Sequence, residues 1–289
     1  MLKARIGVIG GSGLYDITEF KKLDEIKIKT PFGQPSDKII IGKFGDSENI
    51  AFLPRHGKGH RLLPTEVNSK ANIWALKYLG VERIIAVSAV GSLKEEIRPG
   101  DVVIPDQIID RTKSRPNSFF GNGIVGHVAF AEPFCPELRN LLYDTAKNLN
   151  FKVHPKGTYV CMEGPLFSTK AESNLYRSWN ADLIGMTSLP EAKLAREAEI
   201  CYATIALPTD YDCWYETEET VSVELVVQRL NENIKKAKEI IKNVINKIPI
   251  ERNCICKNAA EKAIMTDPKY INKKTFKKLK LFYGKYLKV

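Results

Sequence analysis

Membrane-spanning runs, a dinucleotide fingerprint and a signal-peptide core are all missing from this sequence of 289 residues. No apolar run approaches the ~18 residues that a membrane-spanning helix needs, which excludes a membrane-spanning protein. The chain starts directly with a strand-like segment, so we expect a cytoplasmic protein with no membrane partner. A hydrophobic content of 44% and a mean hydropathy of −0.22 also exclude a disordered or collagen-like chain.

The six cysteines show no zinc-binding pattern. Only Cys254 and Cys256 are close in sequence, and one intervening residue is too few for the usual paired-ligand knuckle. His56 and His60 are a poor metal pair, because the two glycines between them weaken the helix that would place both on one face. The sequence therefore predicts no metal site.

Acidic residues are too few to balance the basic ones. The chain has 34 Asp and Glu against 44 Lys and Arg, a net charge of +10. Residues 251–289 hold eleven of the basic residues and only three acidic ones, which leaves residues 1–250 nearly neutral. In this extension Phe276, Leu279 and Tyr283 recur at helical spacing among lysines. It is therefore predicted to be helical, either packed on its own subunit or, as a functional alternative of a different class, binding nucleic acid.

Strand-like and helical patterns alternate along the first 250 residues. β-branched runs at 6–9, 50–53, 84–87 and 202–207 are among the predicted strands. Helical periodicity lies between such runs and is clearest after Ser222. The alternation predicts an α/β fold with helices flanking a central sheet. No linker interrupts residues 1–250, which are therefore predicted to be one catalytic domain followed by the extension.

Two polar segments that follow predicted strands offer hydrogen-bond donors for an anion. Residues 10–13 are Gly-Gly-Ser-Gly, in which backbone N–H groups and the Ser12 hydroxyl can donate. The segment lacks the further glycine of a dinucleotide fingerprint and the lysine of a Walker loop. Arg55 and His56 follow the next strand-like run, and a guanidinium fork matches phosphate oxygens. A tight turn and a solvated basic loop are the structural alternatives.

Thr187 and a pair of aspartates follow two further predicted strands. Thr187 can donate to a ligand, whereas helix capping suits Ser188 better. Asp210 and Asp212 are two residues apart, so both carboxylates can read one edge of a heteroaromatic ring. A glycosidase pair remains open, and a solvated acidic loop is the structural alternative. Calcium is less favoured because no other acidic residues cluster there.

Six motifs in this order resemble the 5′-methylthioadenosine phosphorylase family of the trimeric purine nucleoside phosphorylase superfamily. They are Gly-Gly-Ser-Gly-Leu at 10–14, Arg-His-Gly at 55–57, Ser-Ala-Val-Gly-Ser-Leu at 88–93, Glu-Gly-Pro-Leu-Phe-Ser-Thr at 163–169, Gly-Met-Thr-x-x-Pro-Glu at 185–191 and Thr-Asp-Tyr-Asp-Cys-Trp at 209–214. The resemblance covers about residues 5–249. It implies a single α/β domain with a mixed central sheet, phosphorolysis with inorganic phosphate as co-substrate, and no cofactor.

The resemblance also implies roles for individual residues. The expected phosphate contacts are Ser12, Arg55, His56, Thr187 and the backbone near Ala89. The expected base and ribose contacts are Phe167, Ile184, Met186, Asp210 and Asp212. Phe167 would stack on the base and Met186 would lie under the ribose. The two aspartates would be catalytic, one donating a proton to purine N7 and the other accepting from the 6-amino group. Neighbouring carboxylates raise each other's pKa, which keeps that proton available.

The implied substrate is 5′-methylthioadenosine, cleaved to adenine and 5-methylthioribose 1-phosphate. Val223 and Val226 would line an apolar pocket for the methylthio group. His127 matches a position that in relatives reaches a neighbour's 5′ pocket, which implies a homo-oligomer, either a trimer or a dimer of trimers. Ser-Ala-Val at 88–90 and Gly185 depart from animal relatives. A broader purine nucleoside or methylthioinosine phosphorylase therefore stays open.

The Cys-x-Cys near the C-terminus is similar to that of family members from heat-loving organisms. That similarity implies a disulfide between Cys254 and Cys256, or one between Cys135 and Cys201.

Overall fold

Strands and helices alternate along the chain in the computed structural model, which describes residues 2–11, 14, 19–215 and 223–287, with backbone only for 223–228 and 230. The strands are β1 (Ile6–Gly10), β2 (Phe20–Ile26), β3 (Ile39–Phe44), β4 (Ile50–Pro54), β5 (Arg83–Ser92), β6 (Val102–Val103), β7 (Gln107–Arg111), β8 (Val153–His154), β9 (Thr158–Met162), β10 (Leu183–Gly185) and β11 (Cys201–Asp210). The helices are α1 (Ser69–Tyr78), α2 (Pro136–Asn148), α3 (Lys170–Ser178), α4 (Glu191–Glu197), α5 (Val223–Ile245) and α6 (Lys273–Tyr283).

The described strands form one mixed sheet. Its main path is β2-β3-β4-β1-β5-β10-β9-β7, and β11 pairs with β5 and carries β6 and β8 beyond it. The β4, β1, β5 and β11 strands are parallel to their neighbours in this group, whereas β2–β3, β3–β4 and β5–β10 are antiparallel pairs. The predicted single-domain α/β fold with a mixed central sheet is confirmed.

Apolar side chains cover both faces of this sheet. In β1, Ile6 and Val8 pack on the face covered by α2 and α5, while Ile9 packs on the face covered by α1 and α4. Alternate residues of a strand point to opposite faces, so a strand buried on both sides is apolar throughout. None of the described helices is both long and apolar enough to cross a membrane.

The β2 strand was not predicted, because its sequence Phe-Lys-Lys-Leu-Asp-Glu-Ile is dominated by charge. Five of its seven residues are exposed, and its described pairing is with β3 alone. A sheet-edge strand can carry charge on a solvated face, and charged side chains also discourage pairing with another molecule.

The extension packs against the rest of the chain through one face of α6. Leu279, Phe282 and Tyr283 are buried with the α1–α4 side of the core, and Tyr283 stacks on Phe120 at 4.9 Å between ring centroids. The α6 lysines are exposed. An apolar stripe buried on its own chain explains the helical spacing without a nucleic-acid partner.

All six cysteines are free thiols in this structure, so neither disulfide implied by the resemblance is present.

Candidate active site

The candidate site lies where neighbouring parallel strands end. The carboxyl ends of β1 and β4 meet there, and the Arg55 N–H donates to the Gly10 carbonyl at 2.9 Å. In open α/β sheets, ligands bind at this edge. Ser12 lies outside the described residues.

Arg55 is 3% exposed and already held by the protein. Its Nε and Nη2 donate to Glu191 at 2.6 and 3.1 Å, its Nη1 to the Val87 carbonyl at 2.8 Å, and its Nη2 also to the Ile9 carbonyl at 3.5 Å. Burial by itself would lower the pKa of Arg55, but the Glu191 carboxylate raises it overall. The bidentate edge expected to meet phosphate is therefore filled by Glu191. Of the five N–H donors of the Arg55 guanidinium, one on Nη1 has no hydrogen-bond partner among the residues that the structure describes.

His56 has a different role from the expected donor. Its Nδ1 lies 2.9 Å from the Leu62 carbonyl oxygen, which can only accept, so Nδ1 carries the hydrogen. Burial first, and then the Arg55 charge, lower the pKa of His56 to about 4. The neutral ring therefore presents Nε2 as an acceptor. Sequence reasoning missed this because Leu62 is not adjacent to His56 in the chain.

Thr187 and Met186 lie beside Arg55 and His56. All four side chains line one small cavity, together with Glu191 among others. The Thr187 hydroxyl is 2.7 Å from that of Ser88, a buried residue of β5, and the Ser88 hydroxyl is 3.2 Å from the Tyr159 hydroxyl. Ala89 follows Ser88 in β5 and is exposed.

Arg115 is a site residue that sequence reasoning missed. It is 7% exposed, and its guanidinium donates to the backbone carbonyls of Met186 at 2.5 Å and Leu189 at 2.7 Å. It also donates to the carbonyls of Met162, at 3.2 Å, and Glu163. Arg115 thereby joins the segment carrying Thr187 to the one that leads to Phe167. A single arginine in a polar loop gives no indication in the sequence that its side chain will bind the backbone carbonyls of two distant segments.

Asp210 and Asp212 lie together at the end of β11. Asp210 accepts from the Asp212 N–H at 2.8 Å and from the Thr209 hydroxyl at 2.7 Å. Asp212 accepts from the Ser173 hydroxyl at 2.5 Å. Burial raises the pKa of Asp212, opposed mainly by the Ser173 hydrogen bond, and the charge of Asp210 adds to the increase. Burial and the neighbouring charge therefore both favour the protonated form of the Asp212 carboxyl group.

Gly91 of β5 allows the two aspartates to approach the strand closely. A Cβ atom at this position would lie 3.2 Å from Asp210 Oδ1 and 3.3 Å from Asp212 Cβ. It would also lie 3.0 Å from Cγ2 of Ile184, so the structure brings Ile184 to the same place. A residue with a side chain would push these groups apart.

Phe167 lies on a segment that contacts Met186 and Cys213, the residue after Asp212. A Cβ atom on Gly164 would lie 2.6 Å from Met186 Sδ, and the Ser168 carbonyl accepts from Cys213 Sγ at 3.3 Å. The Phe167 ring is nevertheless 84% exposed. The segment is close to the site, but its own chain does not bury that ring.

The remaining predicted residues concern the 5′ pocket. The side chains of Val223 and Val226 lie outside the described part of the chain, although the backbone of α5 begins at Val223. His127 is exposed, and its backbone N–H donates to the Ala263 carbonyl of the extension at 2.9 Å. The loop before it is bound to the extension as well, since the Val125 N–H donates to the Thr266 hydroxyl at 2.7 Å.

Comparison with known proteins places this chain in a family. The model of the phosphorylase superfamily matches residues 5–246. The S-methyl-5′-thioadenosine phosphorylase of Geobacter sulfurreducens is 56% identical over 283 residues, which cover 98% of this chain and 99% of the relative. This chain belongs to the methylthioadenosine phosphorylase family.

Solved structures of that family have the same fold. A methylthioadenosine phosphorylase from an antarctic soil metagenomic library matches with a TM-score of 0.94 and 48% identity, covering 98% of this chain and 99% of that one. A methylthioadenosine phosphorylase from Schistosoma mansoni in complex with adenine matches with a TM-score of 0.81 and 40% identity, covering 86% and 93%. By sequence alone, the S-methyl-5′-thioadenosine phosphorylase of Saccharolobus solfataricus is 54% identical, and the match covers 91% of this chain and 98% of the relative.

Proposed function

We propose that this protein cleaves 5′-methylthioadenosine with inorganic phosphate to give adenine and 5-methylthioribose 1-phosphate. The observation that carries the proposal is the aspartate pair at the end of β11, in which Asp212 has a raised pKa beside Asp210. A carboxyl group that keeps its proton can donate to a purine nitrogen, and a neighbouring carboxylate can accept from a 6-amino group. The names of the relatives support the same substrate.

In the reaction, a phosphate oxygen forms a bond to the ribosyl C1′ while the bond between C1′ and purine N9 breaks. The electron pair of the broken bond stays with the purine, and the proton held by the aspartate pair moves to N7. Adenine then leaves as a neutral molecule, which lowers the barrier because little negative charge develops on the leaving group.

Phosphate would occupy the cavity between Arg55 and Thr187. The free Nη1–H of Arg55 and the Thr187 hydroxyl can donate to phosphate oxygens. The neutral Nε2 of His56 would accept the hydrogen that singly protonated phosphate carries. The Glu191 carboxylate keeps the guanidinium oriented before phosphate enters, so the cation reorganises little on binding.

The experiment that tests this function is a comparison of base release from methylthioadenosine, methylthioinosine, adenosine and inosine, with and without phosphate. We expect release from methylthioadenosine to require phosphate and to have the highest kcat/KM of the four. A higher kcat/KM for inosine would overturn the assignment and favour a broader purine nucleoside phosphorylase. Cleavage without phosphate would overturn phosphorolysis.

We further propose that the protein is a homo-oligomer, a trimer or a dimer of trimers, in which His127 completes a neighbour's 5′ pocket. The resemblance supports this arrangement, as do the exposure of His127 and the attachment of its loop to the extension. Mixing inactive Asp210→Asn chains with His127→Ala chains tests it. If His127 acts across an interface, mixed oligomers regain activity, because an intact aspartate pair then meets an intact His127. Activity that never exceeds the sum of the separate variants would contradict it.

A further inference from the structure

Four cysteine sulfurs meet where the extension joins the body of the protein. The Sγ atoms of Cys135, Cys201, Cys254 and Cys256 all lie within 4.8 Å of one another. Three of these side chains are buried and Cys254 is half-buried. The Sγ atoms of Cys201 and Cys254 are 3.3 Å apart, well beyond the ~2.05 Å of a disulfide bond. Each sulfur is close to all three others, which separate disulfide pairs do not require.

These separations match the edges of a tetrahedron of thiolates around one metal ion. A bond of about 2.3 Å from zinc to sulfur places the four sulfurs roughly 3.8 Å from one another. An iron–sulfur cubane spreads its thiolates over several metal atoms and needs more room. We propose that Cys135, Cys201, Cys254 and Cys256 form a tetrahedral site for one divalent metal ion, zinc by its preference for four thiolates, that fastens the extension to the catalytic body.

The backbone holds the ligands in place through bonds of its own. The Cys135 N–H donates to the Tyr202 carbonyl at 2.8 Å, which ties the start of α2 to the start of β11. The Cys201 N–H donates to the Glu82 carbonyl at 2.9 Å. On the extension, the Asn253 N–H donates to the Glu137 carboxylate at 3.0 Å. Three separate parts of the chain are therefore held together around the four sulfurs, as a structural site requires.

A buried arginine and a helix N-terminus belong to the segments that carry two of the proposed ligands. Four thiolates around a divalent ion carry a net charge of −2. Arg83 is the β-sheet partner of Cys201, is 2% exposed, and donates through Nη2 to the Glu251 carbonyl at 2.7 Å. Within the described part of the chain its Nη1 has no hydrogen-bond partner, and the Glu82 carboxylate is 3.6 Å away. Cys135 is also the N-cap residue of α2, where the helix dipole favours negative charge.

The proposed ion is a structural element distinct from the active site. The β11 strand begins at Cys201 and ends at Asp210, so a ten-residue strand separates the metal from the aspartate pair. Two ligands belong to the body and two to the extension, so a single ion links residues more than fifty positions apart. Its removal should loosen the extension and lower the unfolding temperature before it changes the chemistry.

Elemental analysis of the full-length protein, purified under reducing conditions without added metal, tests the site. We expect about one zinc per chain. Cys256→Ser should lose at least four-fifths of that zinc. The matched control is Cys161→Ser, which removes a buried thiol outside the cluster and should keep it. A strong thiol chelator should lower the unfolding temperature of the original protein by several degrees and leave that of Cys256→Ser unchanged.

A second measurement keeps the proposal testable if Cys256→Ser does not fold. After zinc is removed by chelation, cobalt(II) added to the full-length protein should produce the intense visible bands of a tetrahedral cobalt thiolate, saturating at one cobalt per chain. Native mass spectrometry of the protein without added reductant distinguishes the metal site from disulfide bonds. A chain lighter by the hydrogens lost to disulfides, with no metal bound, would overturn the proposal. Six free thiols and no metal would overturn it too.

Discussion

The proposed phosphate half and the proposed base half of the site differ in how far the protein itself already holds their side chains in place. The phosphate half consists of Arg55, His56, Thr187 and Glu191, and its central ion pair is almost fully buried, with Arg55 3% and Glu191 1% exposed. The base half consists of Phe167, Met186, Asp210 and Asp212, and there the Phe167 ring is 84% exposed.

The difference follows from the cost of burying charge. A buried guanidinium without a partner is strongly destabilising, so the protein must neutralise Arg55 whether or not phosphate is bound. The Phe167 ring carries no charge, so the folded protein does not need to provide it with a partner. The proposed phosphate half is therefore part of the folded core, whereas the Phe167 ring of the proposed base half is left exposed by its own chain.

The largest expected effect is on the chemistry of the base half. Asp210→Asn and Asp212→Asn should each lower kcat by about 10²–10⁴-fold, because general acid catalysis contributes on that scale. Stability should change little, because both carboxylates are only partly buried. Steady-state kinetics with saturating phosphate and denaturant unfolding measure the two quantities.

The exposed Asp46 offers a matched control, since Asp46→Asn removes the same charge at a residue that takes no part in the pair's hydrogen bonds. Retention of more than a tenth of kcat by both pair variants would show that neither aspartate acts as the acid.

In the proposed phosphate half, the expected effect is on the free energy of unfolding. Glu191→Ala leaves Arg55 buried without its partner and should cost about 3–5 kcal/mol of unfolding free energy. Its less buried counterpart is Glu48→Ala, which breaks a half-buried ion pair with Arg5 at 2.5 Å and should cost about 0–1 kcal/mol. Urea titrations of both variants make the comparison. Equal losses of unfolding free energy in the two variants would mean that burial does not increase the contribution of the Arg55–Glu191 ion pair to stability.

A smaller effect concerns pH and His56. The pKa of His56 is about 4 in the folded state and about 6.5 in the unfolded chain, so between these values only the unfolded chain binds the proton. Stability should therefore decline as pH falls from about 6.5 to about 4, and be free of this loss above 6.5. In His56→Gln the decline across that window should be shallower than in the original protein.

The smallest expected effect tests the close contact beneath the aspartates. Gly91→Ala adds a Cβ atom 3.0–3.3 Å from three groups, so the neighbours must shift by a few tenths of an ångström. We expect kcat/KM to fall about tenfold, since misplacement of reacting groups weakens catalysis. The unfolding midpoint should stay nearly constant. An unchanged kcat/KM would show that the aspartate pair tolerates displacement.

Sequence patterns predicted most of the buried strands and the helices. They missed the charged edge strand β2 and the role of Arg115. The β1 and β4 strands are apolar throughout because both faces are covered, and the period of α5 was evident from its apolar positions. The β2 strand was missed because an edge strand has no need to be apolar. Arg115 was missed because its partners are backbone carbonyls, which leave no trace in residue types.

The cysteines show the same limit most clearly. Their spacing gave no zinc pattern, since the ligands lie at positions 135, 201, 254 and 256 and only one pair is close in sequence. The structure brings all four within 4.8 Å, because α2, β11 and the extension meet there.

By itself, the sequence determined the α/β alternation, the order of the motifs and the residue types at the ends of the strands. These properties are local, being set by periodicity and by neighbours along the chain. Only the tertiary structure decided that the Arg55 fork belongs to Glu191, that His56 presents an acceptor, and that four distant thiols converge. Charge neutralisation and hydrogen bonding depend on distance in space, and residues 136 positions apart become neighbours only when the sheet has formed.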